Sequence, residues 1–271
     1  MKKSKKVLEI EKKYDIQIKE KYVIIRIDWH KFSKFTKWFI KPFDTILRKV
    51  MIKTAEEVLK KFNALFTYTQ SDEITIVLKE EFDWQLIYNW RILKLASLVA
   101  SYTTMIFNKI LNEEVKKYWK KRNKNKELYK IYLSKIWLAY FDAKVFATND
   151  INDIVEILLS RIKDARKNYI SNLAHYTVKQ FTNQFKSILH WLNSKQKLKL
   201  IKEKYNVNYE KILIDDLYNW TLIYKVKKEV VWYNPIEKKN VKTTRTKIEH
   251  KYYLPMSFNE LKELLLNYLN K

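Results

Sequence analysis

The chain contains no glycine. Its 271 residues include 9 tryptophans, 19 tyrosines and 13 phenylalanines, whereas average glycine usage of about 7% would give roughly 19 glycines. Glycine lacks a Cβ, so it supplies the positive φ of tight turns and lets ligands approach the backbone closely. A fold made without it must turn on Asn, Asp, Ser and Pro, or strain bulkier residues. Trp191 in "HWLNSKQK" and Trp232 in "VWYNP" stand where turn chemistry favours glycine.

The remaining composition is that of a globular protein. Apolar residues make up 47%, enough for a proper core in one large domain or two modest ones. No stretch reaches the ~18–20 apolar residues of a membrane span. The basic N-terminus "MKKSKK" leads into "VLEIEKKYDIQIKE" rather than a signal-peptide core. A soluble, cytoplasmic protein with no membrane partner is expected. The absence of cysteine excludes disulfides and thiolate metal sites, which agrees with that compartment.

Lysine and arginine total 55 against 30 acidic residues, a net charge of +25. Such an excess suits a polyanion, most simply a nucleic acid. A lysine-rich coding bias of an AT-rich genome gives the same number, so charge alone leaves both readings open.

Periodicity organises the chain. "YVIIRI" (residues 22–27) reads as a buried strand, and "KPFDTILRKVMIKTAEEVLKKF" as a helix capped near Asp44. "ALFTYT" and "ITIVLK" are strands around a tight "QSDE" turn. "YNWRILKLASLVASYTTMIFNKIL" is a long helix, and "IWLAYFDAKVFAT" returns as a strand. The order β-α-β-β-α-β predicts an α+β, ferredoxin-like domain. Before the last strand, "NEEVKKYWKKRNKNKELYKIYLSK" is either a solvated helical excursion or a phosphate-contacting arm. From about residue 150 the chain turns helical, with a hairpin around Asn234-Pro235 and a terminal helix from "SFNELKELLLNYL". We therefore expect a palm-like domain over 1–150 and a mainly helical region with a β-hairpin over 151–271.

In a ferredoxin-like sheet the end of the first strand and the central hairpin turn lie side by side. That brings Asp28 together with Asp72 and Glu73. Clustered carboxylates without Cys or His suit a hard cation such as Mg²⁺, and a pair of such ions suits phosphoryl chemistry. "SDE" is equally an ordinary hairpin turn, since Ser and Asp favour turns.

"RIDWHKF", "KPFD", "QSDE", "YNWRILKLASLVAS", "YFDAKVF" and "RIKDARKNYISNLAHY" occur in the order and rough spacing of the tRNA-His guanylyltransferase family and its Thg1-like 3′–5′ RNA polymerase relatives. The resemblance covers roughly residues 20–225. It implies a polymerase-type palm that adds nucleotides to the 5′ end of tRNA, with ATP and GTP as substrates, two Mg²⁺ ions and a homo-oligomer, dimer or tetramer. By the same resemblance Asp28, Asp72 and Glu73 are catalytic. Asp28, Asp72 and the main-chain carbonyl of Trp29 would bind metal. The amides of Trp29, His30, Lys31 and Phe32 would cradle the triphosphate in an anion-binding nest. Lys41, Asp44 and Ser71 would line the nucleotide site, and Arg91 and Lys94, three apart on a helix, would lie near phosphates.

Two departures bear on specificity. Ser33 stands where the eukaryotic strand-end motif has histidine, and "RKNYISN" (166–172) replaces H-I-N-N-L-Y-N, with Arg166 in the histidine place and Asn168 matching. The loss of the second motif favours the Thg1-like branch, which repairs 5′-truncated tRNAs, over strict tRNA-His specificity. The family pattern also has glycine at Trp29, Trp38, Trp90 and Trp220. In a glycine-free chain this points to UGA codons that the parent lineage reads as glycine. A genuine indole at residue 29 is expected to crowd the phosphate nest, and would suit a basic RNA-binding module that has lost catalysis.

Overall fold

The structure, a computed structural model, describes residues 4–79, 87–120, 125–208, 220–236, 238–252 and 254–269. Its framework is a single antiparallel sheet of six strands, ordered β4-β1-β3-β2-β5-β6. β1 is Tyr22–Trp29, β2 Phe66–Gln70, β3 Glu73–Lys79 and β4 Phe141–Thr148. Their 4-1-3-2 order is that of the expected ferredoxin-like unit, with β3 between the first two strands. The C-terminal hairpin, β5 (Trp220–Asn234) and β6 (Lys239–Lys251), extends the same sheet: β5 pairs with β2 from Gln70↔Trp220 to Phe66↔Tyr224. Strand pairing thus crosses the boundary expected at residue 150.

Helices cover both faces, which explains why "YVIIRI" is apolar without alternation. Side chains alternate along a strand. Val23, Ile25, Ile27 and Trp29 turn to the layer of α3 (Thr45–Lys61) and α4 (Ile92–Trp119). Tyr22 and Ile24, with Phe66, Tyr68 and Val77, turn to α6 (Ile151–Lys179) and the terminal helix α9 (Phe258–Leu269). Val23, Ile24 and Ile25 are wholly buried, each contributing about 1.5–3 kcal/mol of hydrophobic burial. The C-terminal half of α6 continues past the sheet and packs on α7 (Phe185–Leu189) and α8 (Ser194–Glu203). The sequence reading did not anticipate α1 (Lys5–Tyr14). Among the described residues no helix is long and apolar enough to cross a membrane.

The basic excursion before β4 is anchored rather than free, although residues 121–124 lie outside the described residues. α5 (Lys126–Leu133) buries Tyr132 completely, and Tyr129 stacks on Trp119 at 4.3 Å. Lys116, Lys117 and Lys120 stay exposed.

Nine described residues have positive φ, and none is glycine. Asn63, Asn89 and Asn206 are ordinary choices, because asparagine tolerates the left-handed region. Trp90 (φ 48) and Trp137 (φ 68) are not: a bulky residue there is a steric outlier. Trp38 and Trp191 are 63% and 87% exposed, and Trp84 lies outside the described residues.

Candidate active site

The hairpin between β2 and β3 closes with the two-residue turn Ser71-Asp72 between the paired Gln70 and Glu73. Ser71 takes the left-handed position (φ 47) that such turns require. The turn abuts the end of β1, where the Trp29 amide donates to the Asp72 carbonyl at 3.1 Å. In the register, Asp28 stands directly opposite Glu73 on one side and Asp142 on the other. Directly paired residues share a face, so Asp142, Asp28 and Glu73 form one row across three strands.

Asp142 was not singled out from sequence. The signal was present in "YFDAKVF", an acid at the start of a strand beside an acid at the end of another, but only the register makes them neighbours. α4 sets that register. Asn108 donates to the Ala139 carbonyl at 2.8 Å and accepts from its amide at 3.3 Å, while Thr104 Oγ1 accepts from the Phe141 amide at 3.1 Å.

Two carboxyls here are perturbed, Glu73 in the row and Asp72 in the turn beside it. Burial raises the Asp72 carboxyl above its ordinary range, and the charge of Asp28 pushes the same way, against hydrogen bonds from its own backbone and Ser71. Burial also raises Glu73, while Arg161 and Arg26 pull it back. Arg161 of α6 donates to Glu73 at 3.3 Å and also pairs with Asp164 (2.5 Å). Among the described residues neither Asp28 nor Asp72 has an ion-pair partner, and no three acidic, histidine or cysteine side chains converge closely enough to hold a metal ion. These two carboxylates without ion-pair partners, hard oxygen donors, fit a divalent cation. Glu73 is engaged by Arg161 instead.

Beyond the acids, the expected nest is only partly open. The Trp29 and His30 amides already donate to the carbonyls of Asp72 and Tyr140, which leaves Lys31 and Phe32. Lys31 is left-handed (φ 57) and caps the single turn α2 (Phe32–Phe35). His30 stacks on Tyr140 at 4.8 Å. The crowding expected of Trp29 does not occur. Its indole lies on the face opposite Asp28, 2% exposed, against Phe32, Phe35, Phe107 and Phe141. Its Nε1 is nevertheless buried without a hydrogen-bond partner.

The "KPFD" loop sits beside this end of the sheet. Asp44 is buried and fully employed by the protein. One oxygen accepts from the amides of Ile46 (3.0 Å) and Leu47 (2.9 Å), the other from Ile40 (3.2 Å) and the Tyr132 hydroxyl (2.6 Å). It fixes the loop that carries Lys41, whose ammonium is 3.5 Å from Thr36 Oγ1. Burial lowers the Lys41 pKa, and Asp44 opposes that shift. Phe43 stacks on Tyr169 of α6 at 4.3 Å.

The structure does not bring Arg91 and Lys94 to the acids. Phe107 packs on Trp29 at 4.5 Å; at 1.5 Å of rise per residue, Arg91 lies about 24 Å back along α4, at the other end of the sheet. It is ion-paired with Asp15 there, and Lys94 lies over the Tyr88 ring at 5.5 Å.

Fold and site together define an α+β chain whose antiparallel sheet gathers carboxylates at one strand end, an arrangement suited to phosphate chemistry with divalent cations. Comparison narrows the class. A family profile described as tRNA-His guanylyltransferase (Thg1) matches residues 4–149, more than half of the chain. An uncharacterized protein of Acanthamoeba polyphaga mimivirus is 28% identical over 265 residues, covering 92% of this chain and 84% of its own. The tRNA(His) guanylyltransferase of Saccharomyces cerevisiae is 28% identical over 163 residues, 59% of this chain and 62% of the yeast enzyme. Among solved structures, a bacterial Thg1-like protein in complex with ATP superposes with a TM-score of 0.69 at 23% identity, over 98% of both chains. The yeast guanylyltransferase superposes at 0.64 and 23% identity, over 81% of this chain and 92% of its own. The chain belongs to the tRNA-His guanylyltransferase family.

Proposed function

We propose that the protein is a 3′–5′ nucleotidyltransferase with a polymerase-type palm that adds nucleotides to the 5′ end of tRNA, repairing 5′-truncated molecules, with guanylate addition to tRNA-His as the narrower activity. The observation that carries this reading is the pair Asp28 and Asp72, free of ion partners at the strand ends of a chain from this family. Asp28, Asp72 and the Trp29 carbonyl would hold Mg²⁺, two ions in the full site. When bound, Mg²⁺ offsets negative charge on the transferring phosphate and lowers the pKa of the attacking oxygen.

The chain's own residues bind and orient. The amides of Lys31 and Phe32 receive phosphate oxygens of GTP or ATP, the two amides before them being engaged already. Lys41, exposed on the Asp44-anchored loop, adds a cation. Ser71 bonds to Asp72 and fixes its rotamer. Glu73, tied to Arg161, joins the acid row to α6. In the reaction a tRNA 5′-phosphate oxygen attacks the ATP α-phosphorus and pyrophosphate leaves. The 3′-hydroxyl oxygen of the incoming nucleotide then attacks the activated 5′-phosphorus, releasing AMP and a proton.

The test is addition of labelled GTP to 5′-truncated tRNAs and to tRNA-His, using the parent protein, Asp28→Ala and Asp72→Ala in Mg²⁺. Both variants should lose nucleotide addition while keeping most tRNA affinity, since the basic surface is elsewhere. Near-normal turnover by either variant would overturn the metal assignment. A parent protein that binds tRNA yet adds nothing would give the second reading, a catalytically impaired RNA-binding protein of the same fold; the engagement of the Trp29 and His30 amides by the Asp72 and Tyr140 carbonyls, which closes half of the expected nest, is the observation that favours it.

A further inference from the structure

Only the first residues of β5 belong to the sheet proper. β5 pairs with β2 as far as Tyr224, whereas β5 and β6 remain paired from Lys225↔Ile248 to Asn234↔Lys239. At about 3.3 Å per residue this free ribbon reaches about 30 Å beyond the sheet. It leaves from the end opposite the acids, because Trp220 adjoins Gln70 and the strand runs away from it. Its tip is therefore on the order of 40 Å from Asp28.

A two-stranded ribbon alone is marginal in water, and this one is exposed on both faces for much of its length. Between residues 225 and 248 it carries eight lysines and arginines against two glutamates. Lys228 stands directly opposite Arg245, with Lys247 diagonal to Lys228 and two residues along the strand from Arg245. Like charges in register destabilise a sheet. Glu249, paired with Lys228 at 2.5 Å, answers one of the three cations. By register this cluster shares the sheet face of Asp28 and Glu73, since Tyr224 pairs with Phe66 and Gln70 with Glu73. Lys227 and Lys242 line the other face.

We infer that the β5–β6 ribbon is an RNA-docking arm: it grips phosphates of a tRNA-sized molecule far from the 5′ end that sits at the acids. The inference rests on the proposed function and adds where the RNA is held. Cation clusters in register repel each other until a polyanion lies between them, and RNA helices are recognised mainly through phosphates and shape. A site that must select the 5′ end of a folded RNA gains from a second contact at a fixed distance, which sorts substrates by size before any base is read.

The experiment compares the parent protein with Lys228→Glu/Arg245→Glu, circular dichroism confirming that both fold. Affinity is measured for a full-length, 5′-truncated tRNA across a salt series, and nucleotide addition is measured on that tRNA and on an acceptor-stem minihelix too short to reach the ribbon. The variant should bind tRNA at least tenfold more weakly, with a salt slope shallower by about 2. Its addition to the minihelix should equal that of the parent. Unchanged tRNA affinity and slope would overturn the inference, as would an equal loss on the minihelix. If the parent protein adds nucleotides to neither RNA, the proposed function fails; the ribbon is then judged by the binding arm alone.

Discussion

At the residue scale, the unusual feature is a chain that turns without glycine. Trp137 shows the consequence most cleanly, because it is left-handed and 61% exposed, so its indole has little packing to lose. The left-handed region costs an L-residue roughly 1–2 kcal/mol relative to glycine. Trp137→Gly should therefore raise stability by about 1 kcal/mol in urea unfolding, less the extra chain entropy of glycine. Trp119→Gly, at the last helical residue of α4 and losing its stack on Tyr129, should instead lower stability, which makes it the control. A destabilising Trp137→Gly would remove the backbone argument for glycine, and TGG codons in the gene at the nine tryptophan positions would end it. Residue 29 argues differently. There the backbone is ordinary strand, paired with Phe141, and the only anomaly is the orphaned indole nitrogen.

At the element scale, much was legible in the sequence and some of it could not be. Strands and helices followed from periodicity, and the Asp44 cap of α3 was visible because an acid before an apolar helical run accepts its first amides. The two-residue "SD" turn was visible for the same local reason. What escaped was register: nothing local in "YFDAKVF" says that Asp142 faces Asp28. The helix contact through Glu114 was also hidden, since a glutamate on a long helix usually faces water. It is buried instead, bonded to Lys53 of α3 at 2.6 Å and to Lys117 at 3.0 Å. Burial opposes ionisation, but these two partners outweigh it and hold the Glu114 pKa below its ordinary value. A carboxylate lowered in the folded state adds stability that is present above its unfolded pKa and is lost as pH falls through the folded one. Glu114→Gln should thus be less stable than the parent at pH 7, by about 1 kcal/mol or less because both lysines are largely solvated. The difference should shrink as unfolding is followed below the unfolded value of 4.5. A gap that stays constant to strongly acid pH would mean that packing, not charge, holds α3 to α4 there.

At the scale of the whole molecule, the resemblance and the geometry disagree about Arg91 and Lys94. The resemblance puts them near phosphates, and the helix rise puts them about 20–24 Å from the acid end. Within one chain a nucleotide held at Asp28 does not reach them. Both statements hold only if a second copy presents its α4 N-terminus to the site, which also gives the expected oligomer a catalytic reason. Asp28→Ala and Arg91→Ala/Lys94→Ala proteins, each inactive alone, should then regain part of the parent turnover when mixed and allowed to exchange subunits. Mixed assemblies would contain sites with intact acids from one chain and intact cations from the other. Full activity of Arg91→Ala/Lys94→Ala on its own would remove both residues from the site and leave Arg91 as the surface partner of Asp15. Loss of activity without rescue on mixing would place their action within one chain, through the docking of α1 onto the start of α4 rather than through phosphate.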